Sequence, residues 1–233
     1  MDIIFNPNNT NFKSLNNPVK PFKVVTKAGD ILVSEIPIDK LKKKKVTKSI
    51  AKLFCKSFSQ SSEEPYWLQY DNKNNRHKMI NEYIDYFQSK LKNDDGNLTM
   101  LIARNKKGKL CGASFSYTYK EVPSAGNSTC YLDSLAIDES CRGTGLGQIL
   151  VKKTMDINKN TFTDIFIKSI NKAVGFYERL GFNKLAPDTP NKKYITERLV
   201  KFGEGYPDYA TLMTKPLQEN KPRWYELGII NNK

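Results

Sequence analysis

Thr129–Ile137 is a β-rich run that feeds straight into Asp138-Glu-Ser-Cys-Arg142-Gly-Thr-Gly145-Leu-Gly147-Gln148. Leu146, Ile149, Leu150 and Ile157 then recur at helical spacing. No other stretch restricts the fold as much, because a strand must turn through glycines into a helix within a few residues. Glycine admits positive φ and lets a ligand approach the backbone. Successive N–H groups of such a loop, together with the positive end of the helix, make an anion cradle. A phosphate or pyrophosphate suits it. A Walker loop does not, since no Lys-Ser/Thr follows the glycines. A dinucleotide loop needs G-x-G-x-x-G; Gly143 and Gly145 fit, but the third place holds Gln148. The pattern present is Arg142-x-x-Gly145-x-Gly147, which by itself is also compatible with a plain tight turn.

The flanking sequence predicts a mixed domain over residues 21–217, after a loose Asn-rich arm (1–20) and before a tail (218–233). Phe22–Thr26 and Ile31–Ile36 bracket Ala28-Gly29-Asp30 as a hairpin. Val46, Ile50, Leu53, Phe54 and Phe58 predict a helix, with Lys44, Lys48, Lys52 and Lys56 on its other face. Like charges at that spacing cost ~0.2–0.5 kcal/mol per pair in an isolated helix. A second helix runs from about Asn75 to Lys92, with Met79, Ile80, Tyr83, Ile84, Phe87 and Leu91 as its apolar stripe. His77 lies beside its start and reads as structural or exposed. Leu98–Arg104 and Leu110–Tyr119 pair across a turn, and residues 120–128 form a polar loop. Thr163–Ser169 alternates as a strand. Ala173, Phe176, Tyr177 and Leu180 form a short helical stripe closed by Gly181. Phe182–Leu185 and Tyr209–Leu217 read as strands around the long segment 186–208. The order is β-α-α-β-β-β-α-β-α-β-β, a mixed α/β or α+β domain.

Charge adds less than it first suggests. Lys and Arg total 38 against 24 Asp and Glu, a formal +14. The cations are 32 Lys and only 6 Arg, alongside 22 Asn. Bidentate recognition of bases and phosphates favours Arg, so compositional bias fits this excess as well as a polyanion partner does. Eight lysines crowd into residues 40–56, which leaves a balance of +6 elsewhere. The four cysteines (55, 111, 130 and 141) form no C-x-x-C pair, and His77 is the single histidine. That excludes ordinary zinc sites and a Ser-His or Cys-His relay, unless His77 serves. Cys141, just before the loop, reads as incidental. Scattered thiols fit a reducing cytosol or nucleus, and a cytoplasmic protein is expected. The first residues have neither the basic nor the apolar run of a signal peptide, and no stretch approaches ~18 apolar residues.

About 30 residues after Arg142 comes Asn171-Lys-Ala-Val-Gly-Phe-Tyr177-Glu-Arg-Leu-Gly-Phe182. This segment and the glycine loop together resemble the two signature motifs of the GNAT superfamily of acetyl-CoA-dependent N-acetyltransferases. One is the strand, Arg/Gln-x-x-Gly-x-Gly/Ala loop and helix; the other is the Asn-x-x-Ala-x-x-Phe-Tyr-x-x-x-Gly-Phe helix and strand. The close match covers roughly residues 129–185.

The resemblance implies a mostly antiparallel central sheet flanked by helices, and an acyl-CoA N-acyltransferase. It puts the coenzyme A pyrophosphate on Arg142, Gly143, Thr144, Gly145, Leu146 and Gly147, with Gln148 at the helix entry. The pantetheine arm then runs along Leu135, Ala136 and Ile137, where a main-chain N–H also polarises the acetyl carbonyl. Asn171 touches that arm. An amine attacks the thioester directly, so no protein nucleophile is required and no metal is implied. Tyr177 matches the family's proton donor to the departing thiolate, although its place on an apolar stripe equally suits a core residue. The attacking amine must first lose a proton. Asp133 is the favoured base, since residues 131, 133 and 135 of a regular strand share one face; Tyr131 is the second choice, and a merely structural Asp133 stays open. The acceptor is a small-molecule or protein amine. A positive chain should repel polyamines unless local pocket charge overrides the net charge. Two other readings remain: a silent acyl-CoA-binding module, and a polyanion binder using the 40–56 lysines. Segment 186–208 is expected to border the acceptor site.

Overall fold

The computed structural model describes residues 20–27, 29–61, 65–92, 98–119, 129–184 and 210–218. The expected arm, the loop 120–128, the segment 186–208 and the tail lie outside these, apart from Lys20 and Gln218. The first hairpin forms as expected: β1 (Phe22–Thr26) and β2 (Gly29–Glu35) close with Thr26 opposite Gly29. Helices α1 (Ile38–Leu41), α2 (Lys44–Ser61), α3 (Pro65–Leu68) and α4 (Lys73–Lys92) follow. Then come β3 (Thr99–Asn105), β4 (Leu110–Tyr119), β5 (Thr129–Ile137) and α5 (Leu146–Asn158). The chain continues with β6 (Asp164–Ile170), α6 (Val174–Glu178), β7 (Asn183–Lys184) and β8 (Ala210–Pro216). Among the described residues, eight strands form one sheet in the order β1-β2-β3-β4-β5-β6-β8-β7. Each neighbouring pair is antiparallel except β5–β6.

Helices cover both faces. On one, Ile50 and Phe54 of α2 meet Ile84 and Phe87 of α4 over Phe115 of β4. Burying each such side chain contributes about 1.5–3 kcal/mol. The lysines at 44, 48, 52 and 56 stand on the exposed side of α2, in solvent, as the spacing predicted. On the other face, Leu146 and Leu150 of α5 pack on Ile31, Val33 and Leu101. Gly112 of β4 permits this: a Cβ there would lie 3.0 Å from both Ile137 Cδ1 and Leu150 Cδ1. Helix α3 has no counterpart in the sequence reading, because it is too short for any periodicity to register. Pro65 suits its first position, and Trp67 locks it down, 5.2 Å from the Phe58 ring and 6.0 Å from that of Tyr83. His77 is exposed, with Nδ1 2.9 Å from the Lys73 carbonyl, and lies away from the site described next.

Candidate active site

β5 and β6 pair over three positions only: Thr129 with Asp164, Cys130 with Ile165, and Tyr131 with Phe166. Beyond these the two strands part. Antiparallel strands β4 and β8 occupy their outer edges as far as Ile137 and Ile170. The inner edges therefore open onto a cleft of about 1170 Å³, which runs from the glycine loop to α3 and α4.

The loop at one end is built to leave N–H groups outward. Gly143 and Gly145 sit at φ 71° and 87°, in the left-handed region that costs other residues ~1–2 kcal/mol. Gly145 is the N-cap of α5 and offers no side-chain acceptor to the first N–H groups of the helix. A Cβ on Gly147 would come 3.3 Å from Phe176 Cζ, so this glycine lets α6 close on α5. Thr144 Oγ1 donates to the Cys141 carbonyl at 2.7 Å and tightens the turn. Asp138 anchors the entry, accepting from Ser140 N at 3.1 Å and Lys109 Nζ at 2.9 Å. Partial burial disfavours its charge, but the hydrogen bonds from Ser140 and Lys109 outweigh that and hold its carboxyl below the usual range. Arg142 lines the cleft at this loop. Its guanidinium donates to the Ile137 carbonyl (3.2 Å), Gln60 Oε1 (3.0 Å) and the Ser57 carbonyl (3.5 Å), tying the loop to the last turn of α2.

The far end is acidic and aromatic. The β4–β5 register shifts so that Phe115 faces Ser134 and Ser116 faces Leu132, leaving Asp133 as the bulged residue. This overturns the expectation that 131, 133 and 135 share a face. Tyr131, Asp133 and Ser134 all turn toward α4, Ala136 follows them into the α2–α4 core, and Leu135 and Ile137 pack toward α5. Asp133 Oδ1 accepts from Tyr86 Oη at 2.6 Å, and Oδ2 accepts from Ser134 Oγ at 2.6 Å. Ser134 Oγ lies 2.8 Å from Tyr83 Oη. With Ser134 donating to the carboxylate, Tyr83 donates to Ser134, which makes a chain of hydroxyls leading to Asp133. Burial, then the charge of Asp133, pushes the Tyr83 phenol well above its ordinary range. Tyr131 is buried, stacked on Phe166 at 4.6 Å.

Tyr177 lines the cleft between these ends, on α6. Burial alone raises its phenol well above the ordinary value, so it stays protonated near neutral pH. Leu135, Ile137, Arg142, Gly143 and Gly145 also line the cleft, as do Leu146, Gly147 and Gln148. Ala136, Thr144 and Asn171 do not reach it with their side chains; Asn171 Oδ1 instead accepts from Thr211 Oγ1 at 3.4 Å. Tyr83, Tyr86 and Ser134 were not singled out from sequence as site residues. Their one signal is two tyrosines at i, i+3, one within the apolar stripe of a helix and one beside it.

An uncapped helix end, two left-handed glycines and the inner edge of β5 together fit a diphosphate carrying an extended amide arm. Residues 60–196 match the model of the acetyltransferase (GNAT) domain. A glucosamine 6-phosphate N-acetyltransferase of Trypanosoma brucei brucei is 25% identical over 88 residues, 37% of this chain and 60% of the relative. The chain thus spans about three fifths of that curated relative. A Pyrococcus horikoshii OT3 protein superposes with TM-score 0.54 at 14% identity, covering 80% of this chain and 98% of that one. A Corynebacterium glutamicum protein, described as histone acetyltransferase HPA2 and related acetyltransferase, gives 0.50 at 16% identity over 79% and 94%. At such identities these two show a shared fold.

Proposed function

The chain belongs to the GNAT acetyltransferase family, and on that premise we propose that it moves an acetyl group from acetyl-CoA to a primary amine by direct attack in a ternary complex. The observation that carries this reading is the three-pair contact between β5 and β6, after which an open strand edge leads to an uncapped, glycine-turned helix end. The main chain of Gly143 to Gly147, with Gln148, would hold the pyrophosphate, and the main chain of Leu135 to Ile137 the pantetheine arm. Acetyl-CoA supplies an activated thioester carbonyl.

The protein's own groups do the rest. A free alkyl amine has a pKa near ~10.4 and is charged at neutral pH. Asp133 draws that ammonium in and takes or relays its proton. Ser134, itself receiving from Tyr83, and Tyr86 each donate to one carboxylate oxygen and hold Asp133 in place for that transfer. Tyr131 also lines the cleft and is the second choice for this role. A main-chain N–H of residues 135–137 stabilises charge developing on the carbonyl oxygen. Tyr177, kept protonated by burial, gives its proton to the departing thiolate. The test is thiol release from acetyl-CoA in the presence of a panel of amines, followed with a thiol-reactive dye. All four cysteines are buried, and burial pushes Cys55 up to about 12, so the folded chain adds little background. Amine-dependent release supports the proposal; release with no amine in the panel would contradict it.

A further inference from the structure

The amine-receiving end of the cleft carries more than one acid. Glu82 of α4 also lines it, one turn before Tyr86 and so about 6 Å along the helix. Between Glu82 and Asp133 stands a continuous aromatic wall. Tyr66 donates to Glu82 Oε2 at 2.5 Å and meets Trp67 edge-on at 5.0 Å. Trp67 lies 6.0 Å from Tyr83, and Tyr83 lies 5.8 Å from Tyr86, which donates to Asp133. Carboxylates thus sit at the two ends of a row of aromatic rings. The same neighbourhood already holds an ammonium on aromatic faces: Lys90 Nζ lies 4.4 Å from the Tyr117 centroid and 5.2 Å from that of Tyr86. The cations of the cleft, Arg142, Lys168, Lys172 and Arg179, come from the loop after β5, from β6 and from beyond it. Lys78 approaches Glu82 only loosely, at 3.9 Å, with its side chain 76% exposed.

Resting on the acetyltransferase reading, we infer that the acceptor is a compact alkyl diamine. One amine is acetylated at Asp133, while the other stays an ammonium, held by Glu82 and the faces of Tyr66 and Trp67. In the transfer, the C–N bond forms as the C–S bond breaks; the amine proton leaves through Asp133, and the thiolate is protonated from Tyr177. An anionic aminosugar phosphate would meet two carboxylates here.

The test is calorimetric, on the full chain saturated with coenzyme A, with diaminopentane, pentylamine and glucosamine 6-phosphate titrated in turn. Diaminopentane should bind roughly tenfold more tightly than pentylamine, the scale of one ion pair plus one cation–π contact at a partly exposed site. Glu82→Gln should lower that ratio by roughly threefold, leaving the share of the aromatic contact. Equal affinity for the two alkyl amines, a ratio untouched by Glu82→Gln, or tighter binding of the aminosugar phosphate would overturn the inference while leaving the acetyltransferase reading intact. A chain that fails to take up coenzyme A at the outset would overturn both.

Discussion

Tyr177 combines two properties that usually exclude one another, a deep position in an apolar cluster and a face on the cleft. Burial keeps it protonated in the resting protein, as the proposed donor role requires. Tyr177→Phe keeps the packing and removes the proton. Turnover should fall by roughly 100-fold, the usual scale for a general acid, while coenzyme A affinity measured by calorimetry stays unchanged. Unchanged turnover would remove Tyr177 from the chemistry. Its titration also has a signature in stability. The folded phenols of Tyr177 and Tyr83 both lie above the unfolded value of about 10. Their contribution is therefore whole below about pH 10 and is lost as pH rises toward the folded values. Melting temperature followed from pH 8 to 11 should fall at the alkaline end, and Tyr177→Phe should fall less steeply than the unmodified chain. Parallel curves would mean that the phenol is not buried as described.

Two elements fix the site, the turn into α5 and the bulge in β5. Gly145→Ala forces a Cβ into the left-handed region at the N-cap of α5. It should lower stability by ~1–2 kcal/mol in urea unfolding and weaken coenzyme A binding, although nothing lies within 4 Å of the added carbon. Full retention of both would argue that the turn is not strained. The turn was legible in the sequence because its information is local: glycines, a preceding strand and a following helical stripe all sit within one short stretch. The bulge was not. It exists only in the pairing of β5 with β4, where Asp133 has no opposite number, and strand alternation read along one strand cannot reveal it. For the same reason Asp133 was found but the turning of Leu135 away from it was not. Tyr86 escaped notice because a half-buried tyrosine at the edge of a stripe looks like any other core-lining ring. The hydrogen bond that gives it a role spans 47 positions of sequence.

At the scale of the whole molecule, the sheet works as a divided surface. Antiparallel pairing on both sides holds β5 and β6 firmly while the parallel contact between them ends after Tyr131 and Phe166. The proposed acceptor groups come from α3, α4 and β5, and the loop proposed to hold the phosphates opens α5, which packs on the other face of the sheet. Among the described residues, the lysine row of α2 stands in solvent. Arg142 couples the two faces: a loop residue that lines the cleft also holds the end of α2. The most direct measurement is a calorimetric titration of acetyl-CoA into the full chain. Saturable binding to a single site, weakened by Gly145→Ala, is the expected result, and a flat titration would contradict a cleft built to hold the coenzyme between β5 and β6.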